Sequence, residues 1–166
     1  MNATLTDVRN VVGQVTDPEI PVLTVADLGI LRDVRVDAGG RIQVTITPTY
    51  SGCPAIETIS RDIVQTCARH GWHEVTVRKV LSPAWTTDWM TDNGKRKLRE
   101  FGIAPPGPAA RCGRPGAGPV PVPLSVRCPR CGSADTREAS RFGSTACKAL
   151  YTCNSCLEPF DYFKAL

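Results

Sequence analysis

Eight cysteines in 166 residues carry most of the chemistry legible in this sequence. Two pairs, Cys128-Pro129-Arg130-Cys131 and Cys153-Asn154-Ser155-Cys156, stand 21 residues apart. Each CxxC can fold into a turn that offers two sulfurs, and four thiolates so arranged suit a tetrahedral Zn²⁺ site of the ribbon kind. All four positions are cysteine, so no coordination position is left open for hydrolysis. One isolated CxxC could be a redox pair. Two of them in a module of about 40 residues, too short to bury a core of its own, favour a structural metal.

A single cysteine stands apart in Thr47-Pro48-Thr49-Tyr50-Ser51-Gly52-Cys53-Pro54. The residues before it alternate like a strand and those after it repeat like a helix, so Cys53 falls at a helix N-terminus. There the dipole and the unpaired backbone N–H groups are expected to favour thiolate, the form that binds metal or attacks carbon. Attack would need a base. The two histidines, His70 and His73, flank the far end of the same helix, which moves Cys53 from nucleophile towards ligand. Asp17 and Glu19, in Thr16-Asp17-Pro18-Glu19-Ile20-Pro21, read either as a solvated acidic turn or as ligands or an electrostatic gate near Cys53. Cys147 lies outside the CxxC pairs beside Lys148, whose charge would favour thiolate. It is either a small buried residue or a second thiol that a flexible connection could bring towards Cys53.

The elements that must position these groups follow from periodicity. Leu5, Val8, Val12 and Val15 predict a helix over 4–15 capped by Thr4 or Thr6. Strands over 30–37 and 41–47 flank Gly39-Gly40 as a hairpin. Ile56, Ile59, Ile63 and Cys67 predict a helix over 54–70 with Pro54 in its first position and Cys67 in the core. Residues 75–80 then alternate as a strand, which a right-handed crossover makes parallel to the second. Trp85 and Trp89 are expected to seal the core edge, and a helix over 91–100 carries Lys95, Arg96, Lys97 and Arg99 on a solvated face. The fold class is α/β: a small mixed sheet with packed helices, followed by a C-terminal four-cysteine zinc ribbon with strands within 136–142, 149–152 and 160–164. The expected boundaries are 1–103 for the α/β domain, 104–124 for a Pro/Gly-rich linker with polyproline character, and 125–166 for the ribbon. Cys112, in that linker, has no evident role.

No apolar run is long enough to span a bilayer and no signal-like segment opens the chain, so a cytoplasmic location is expected, with no membrane partner. In that reducing compartment eight cysteines point to metal or reactive thiols rather than disulfides. A net charge of +4 makes no demand for nucleic acid.

Residues 5–103 resemble the MIP18 (DUF59) family of iron–sulfur assembly factors, through Asp17-Pro18-Glu19, Asp27-Leu28-Gly29 and a strand ending in Thr-x-x-x-x-Gly-Cys-Pro at Thr47 to Pro54. Where many members have Pro-Gly before the cysteine, this chain has Ser51-Gly52. The segments 85–103, 142–151 and 158–164 extend the resemblance to a ribbon-bearing branch encoded with the phenylacetyl-CoA epoxidase of phenylacetate degradation. That resemblance implies an accessory factor that matures or delivers an iron or iron–sulfur centre and does not itself epoxidise. Cys53 would be a ligand for transient iron or a cluster, with Asp17, Glu19 and Cys147 nearby. The implied partners are epoxidase components, the iron–sulfur reductase or the di-iron oxygenase, and a homodimer could bring two Cys53 residues together. The alternative is a non-catalytic adaptor docking on the oxygenase through exposed Phe160, Tyr162 and Phe163.

Overall fold

The computed structural model describes residues 4–107 and 125–164, and the chain divides into two compact units, Met1–Trp85 with Trp89–Gly94, and Thr86–Asp88 with Lys95–Leu166. In the first unit the predicted opening helix forms as α1 (Leu5–Gly13), with Thr4 as its cap: the Asp7 N–H donates to Thr4 Oγ1 at 3.1 Å. Its Val8 and Val12 are fully buried. The hairpin is β1 (Leu31–Val36) and β2 (Ile42–Ile46), antiparallel, with Val34 opposite Val44. Asp37 shapes the turn by accepting the Gly39 and Arg41 N–H groups, each at 2.9 Å. Hydrogen bonds from the Arg41 backbone and side chain hold the Asp37 carboxyl below its ordinary range.

The chain then runs through the Cys53 loop into α2 (Ala55–Arg69), whose buried stripe is Ile56, Ile59, Ile63 and Cys67, as the periodicity predicts. Pro54 is the cap of this helix rather than its first residue. β3 (Val75–Lys79) returns parallel to β2, giving the order β1-β2-β3. Trp85 is buried and its Nε1–H donates to the Leu28 carbonyl at 2.9 Å. Asp27 accepts from Thr91 Oγ1 at 3.2 Å and Asn93 Nδ2 at 3.1 Å, fastening the 24–29 turn to the start of α3 (Asp92–Glu100). Glycine is needed at 29: at φ +70 an added Cβ would lie 2.3 Å from the Trp89 carbonyl oxygen.

The second unit is a four-stranded sheet of β4 (Ile103–Ala104), β5 (Thr136–Ser140), β6 (Lys148–Cys153) and β7 (Pro159–Phe163), in the order β4-β7-β6-β5. β4 pairs parallel with β7, so Ile103 and Ala104 join the sheet of the second unit. Its small core gathers Ala104, Cys128, Cys153 and Phe160, with Val126, Tyr151 and Tyr162 packed on it. The expectation that Phe160 and Phe163 are exposed docking residues is corrected here: they are 5% and 1% exposed, and Phe160 is a member of the small core with Cys128 and Cys153. Cys112 and the predicted polyproline segment lie outside the described residues.

Candidate metal centre and the Cys53 loop

The two CxxC turns are built alike. In the first, the Cys128 N–H donates to the Ser133 carbonyl at 2.9 Å and the Gly132 N–H to the Cys128 carbonyl at 2.9 Å. In the second, the Cys153 N–H donates to the Glu158 carbonyl at 3.0 Å and the Leu157 N–H to the Cys153 carbonyl at 3.0 Å. Ser133 and Ser155 hydroxyls meet at 2.8 Å, and Asn154 Nδ2 donates to Asp135 Oδ1 at 2.8 Å, so polar side chains clasp one turn to the other. Sequence periodicity carries no signal for these clasps, because Ser133 and Ser155, and Asp135 and Asn154, stand at different offsets from the cysteines of their turns.

The four sulfurs of Cys128, Cys131, Cys153 and Cys156 lie within 4.8 Å of one another, with Cys128–Cys156 at 3.7 Å and Cys131–Cys153 at 3.6 Å. Zn–S bonds of about 2.3 Å at tetrahedral angles set sulfurs about 3.8 Å apart, whereas a disulfide would bring them to about 2.05 Å. The spacing therefore fits a tetrahedral metal and excludes paired cystines. Backbone N–H groups of Cys156 and Ser155 point at the Cys153 sulfur and bring its thiol down to about 6. At Cys156 the Glu158 N–H acts in the same direction, but desolvation and hydrogen bonds shared with the other three sulfurs outweigh it and push this thiol up to about 12. Among the described residues no second group of three or more His, Cys, Asp or Glu ligands gathers in this way.

Cys53 is half-buried where the loop enters α2; its N–H donates to the Tyr50 carbonyl at 3.2 Å. Asp17 is buried, and its Oδ1 accepts the N–H groups of Glu19 at 2.7 Å and Ile20 at 2.9 Å, which fixes the acidic turn. That turn is close enough for both carboxylates to act on the Cys53 sulfur. The expected thiolate is corrected by the balance of these effects. Burial is the largest and raises the thiol, the Ala55 N–H lowers it, the Glu19 and Asp17 charges raise it, and the Ile56 N–H lowers it, for a net rise. The helix terminus acts with the predicted sign and is outweighed by desolvation and two like charges. His70 and His73 lie just past the other end of α2, a helix of 15 residues and so about 22 Å long.

Cys147 is a buried residue of the second unit, outside the four-sulfur group, with Thr145 Oγ1 at 3.0 Å from its sulfur. Lys148, expected to act on it, is itself buried and paired with Asp161 at 3.3 Å.

The two halves thus define a class: an α/β domain with one half-exposed thiol beside an acidic turn, joined to a four-cysteine β ribbon. Comparison with known proteins matches two segments of the chain. Residues 5–78 match the family described as iron–sulfur cluster assembly protein, and residues 117–164 match the PaaD zinc beta ribbon domain. The chain is 50% identical to one subunit of the "Putative 1,2-phenylacetyl-CoA epoxidase" of Escherichia coli (strain K12), over 92% of this chain and 88% of that one. It belongs to the family of that epoxidase component. It is also 34% identical to an Fe-S protein maturation auxiliary factor of Porphyromonas gingivalis, over 55% of this chain and 88% of the relative. A crystal structure of a DUF59 domain from Bacillus anthracis, 26% identical, covers 57% of this chain and 90% of that one with a TM-score of 0.53. No helix among the described residues is long and apolar enough to cross a membrane.

Proposed function

We propose that this chain is a non-catalytic accessory subunit of a phenylacetyl-CoA epoxidase system, acting in the cytoplasm to mature or deliver an iron or iron–sulfur centre. Cys53 is the transient ligand for that cargo, with Asp17 and Glu19 as the acidic groups beside it. Cys128, Cys131, Cys153 and Cys156 hold a structural Zn²⁺ that folds the ribbon. The observation that carries the reading is the contrast between the two cysteine environments. Four sulfurs at tetrahedral spacing fill every position of one ion and leave none for exchange. Cys53 offers one sulfur, held as thiol by burial and two carboxylates. A lone ligand of that kind binds weakly until a cation displaces its proton, which suits handing over a metal centre rather than storing one. The absence of a histidine near Cys53 argues against nucleophilic catalysis.

The receiving partner in this reading is the iron–sulfur reductase or the di-iron oxygenase component. The test is anaerobic reconstitution of cluster on the wild-type chain and on Cys53→Ser, followed by transfer to apo-reductase. Wild type is expected to load iron and sulfide and to activate the acceptor, and Cys53→Ser to lose both while retaining its zinc. Equal loading and transfer by Cys53→Ser would overturn the assignment.

A further inference from the structure

Glycine at position 52, next to Cys53, is demanded neither by the backbone nor by packing. Its φ lies outside the left-handed region, unlike that of Gly29, Gly40 or Gly71. A Cβ built there meets only Cε2 and Cδ2 of the Tyr50 ring, at 3.6 and 3.8 Å, which are ordinary contacts. Gly94 shows the contrast: a Cβ there would lie 2.9 Å from the Asp27 carbonyl oxygen, so packing excludes one. A glycine free of both constraints loosens the unfolded chain with no return inside the fold. What its missing side chain leaves clear is the approach to Cys53. The Cys53 sulfur is engaged by the Ala55 and Ile56 N–H groups at the start of α2 and lies within reach of the Asp17 and Glu19 charges, while the exposed residues of the loop before it are Ser51 and Gly52. The loop opens on a second unexplained feature: Thr47 is 1% exposed, yet its Oγ1 has no hydrogen-bond partner among the described residues. Buried polar groups are nearly always paired within a fold.

We propose that Gly52 is a specificity-determining residue of the Cys53 site, keeping the approach wide enough for an iron–sulfur cluster that arrives with thiolate ligands of its own rather than for a bare ferrous ion. The ligand count sets that requirement. Four thiolates hold such a cluster, and Cys53 supplies one; among the described residues the ribbon set is the one place where three or more ligand groups gather. The other ligands therefore travel with the cluster, and their bulk surrounds the iron atom that the Cys53 sulfur must reach. A ferrous ion brings only waters and needs no such room. The exchange balances without a redox partner. The Cys53 thiol bonds to iron, one carried thiolate leaves that iron and takes up the proton as a thiol, and no electron is transferred.

The inference rests on the proposed role of Cys53 as the cargo ligand, and the experiment separates the two. The full-length zinc-loaded chain is prepared as wild type, Gly52→Ala, Gly52→Val and Cys53→Ser. Each is given, anaerobically and separately, ferrous iron, iodoacetamide read at Cys53 by mass spectrometry, and a [2Fe–2S] cluster ligated by β-mercaptoethanol, whose uptake is followed by visible circular dichroism. Gly52→Ala is expected to melt no lower than wild type, since the added methyl meets neither a φ nor a contact penalty. It is expected to bind ferrous iron and react with iodoacetamide as wild type does, and to take up the cluster about tenfold more slowly. Gly52→Val is expected to slow uptake further, and Cys53→Ser to abolish it. Uptake at the wild-type rate by both Gly52 variants, with Cys53→Ser inactive, overturns the inference and leaves the role of Cys53 standing. Uptake that wild type lacks, or that Cys53→Ser retains, overturns both. Slowing of ferrous iron and iodoacetamide by the same factor as the cluster would mean that the side chain deforms the loop, and that outcome overturns selection by size.

Discussion

Exchanging the residues at the matched positions of the two metal-binding turns gives a prediction whose sign is set by magnitudes. In Gly132→Leu the new Cβ meets nothing within 4 Å, so the cost is that of holding an L-residue at φ +76, about 1–2 kcal/mol. Leu157→Gly relieves a penalty of the same kind at φ +63. Against that gain, glycine loosens the unfolded chain by about 0.5–1 kcal/mol. Loss of the covered part of the side chain, about a quarter of it, removes a further 0.5 kcal/mol or so from the roughly 1.5–3 kcal/mol of a fully buried leucine. The terms nearly cancel. Leu157→Gly is expected within about 1 kcal/mol of wild type, where a leucine-to-alanine change in a core costs about 2–5 kcal/mol.

Urea unfolding followed by far-ultraviolet circular dichroism measures both variants, at one fixed free-zinc concentration because a bound ion stabilises the native state by mass action. In a domain of this size 1 kcal/mol corresponds to about 4–8 °C in Tm, so thermal melts resolve the pair as well. A loss above about 2 kcal/mol in Leu157→Gly would mean that the leucine is packed rather than exposed. A neutral Gly132→Leu would mean that the turn tolerates a side chain at that φ and that Leu157 is unstrained.

Three further outcomes follow from the geometry. Glu19→Gln removes a charge that raises the Cys53 thiol, so its thiolate fraction at a fixed pH below that pKa rises and the iodoacetamide pH–rate curve shifts to lower pH; an unmoved curve would separate the acidic turn from the sulfur. Cobalt(II) titration is expected to give one tetrahedral tetrathiolate centre per chain in wild type and in Cys147→Ala but none in Cys156→Ser, and since structural zinc supplies about 10–16 kcal/mol of apparent binding free energy, chelation unfolds the ribbon. Trp85→Phe leaves the buried Leu28 carbonyl without the indole donor and is expected to cost about 1–3 kcal/mol in urea unfolding.

Most of the fold was legible because its elements obey simple periods. The β-branched alternation of β2 and the three-four-four spacing of the α2 stripe leave little choice of structure, and Gly39-Gly40 marks the hairpin between them. β4 was not legible: two residues, Ile103 and Ala104, have no period, and their pairing with β7 depends on a strand more than fifty residues later. Exposure along β7 failed for a related reason. Alternation assigns faces, but whether a face is covered depends on what packs against it, and the contacts of Phe160 with Ala104, Cys128 and Cys153 are made by residues distant in sequence. At the candidate sites the CxxC spacing sufficed to bring four sulfurs together, since each turn fixes two of them locally. The thiol state of Cys53 needed the third dimension, because Glu19 and Asp17 are more than thirty residues away in sequence and desolvation is invisible there.

That correction bears on what Cys53 can do. A thiolate poised at neutral pH would be alkylated, oxidised or metallated by whatever arrived first, since reactivity follows thiolate character. Holding the sulfur as thiol, with two carboxylates beside it, makes binding conditional. In the proposed role, a cation attracted by Glu19 and Asp17 would reverse the effect that raises the thiol and so displace its proton. The same carboxylates that suppress the free thiolate would therefore favour the metallated one. In the ribbon the backbone acts the other way: N–H groups of Cys156 and Ser155 lower the Cys153 thiol. Neutralising the acidic turn should consequently raise alkylation of Cys53 and lower its retention of ferrous iron, two changes of opposite direction that a purely structural turn would not produce together.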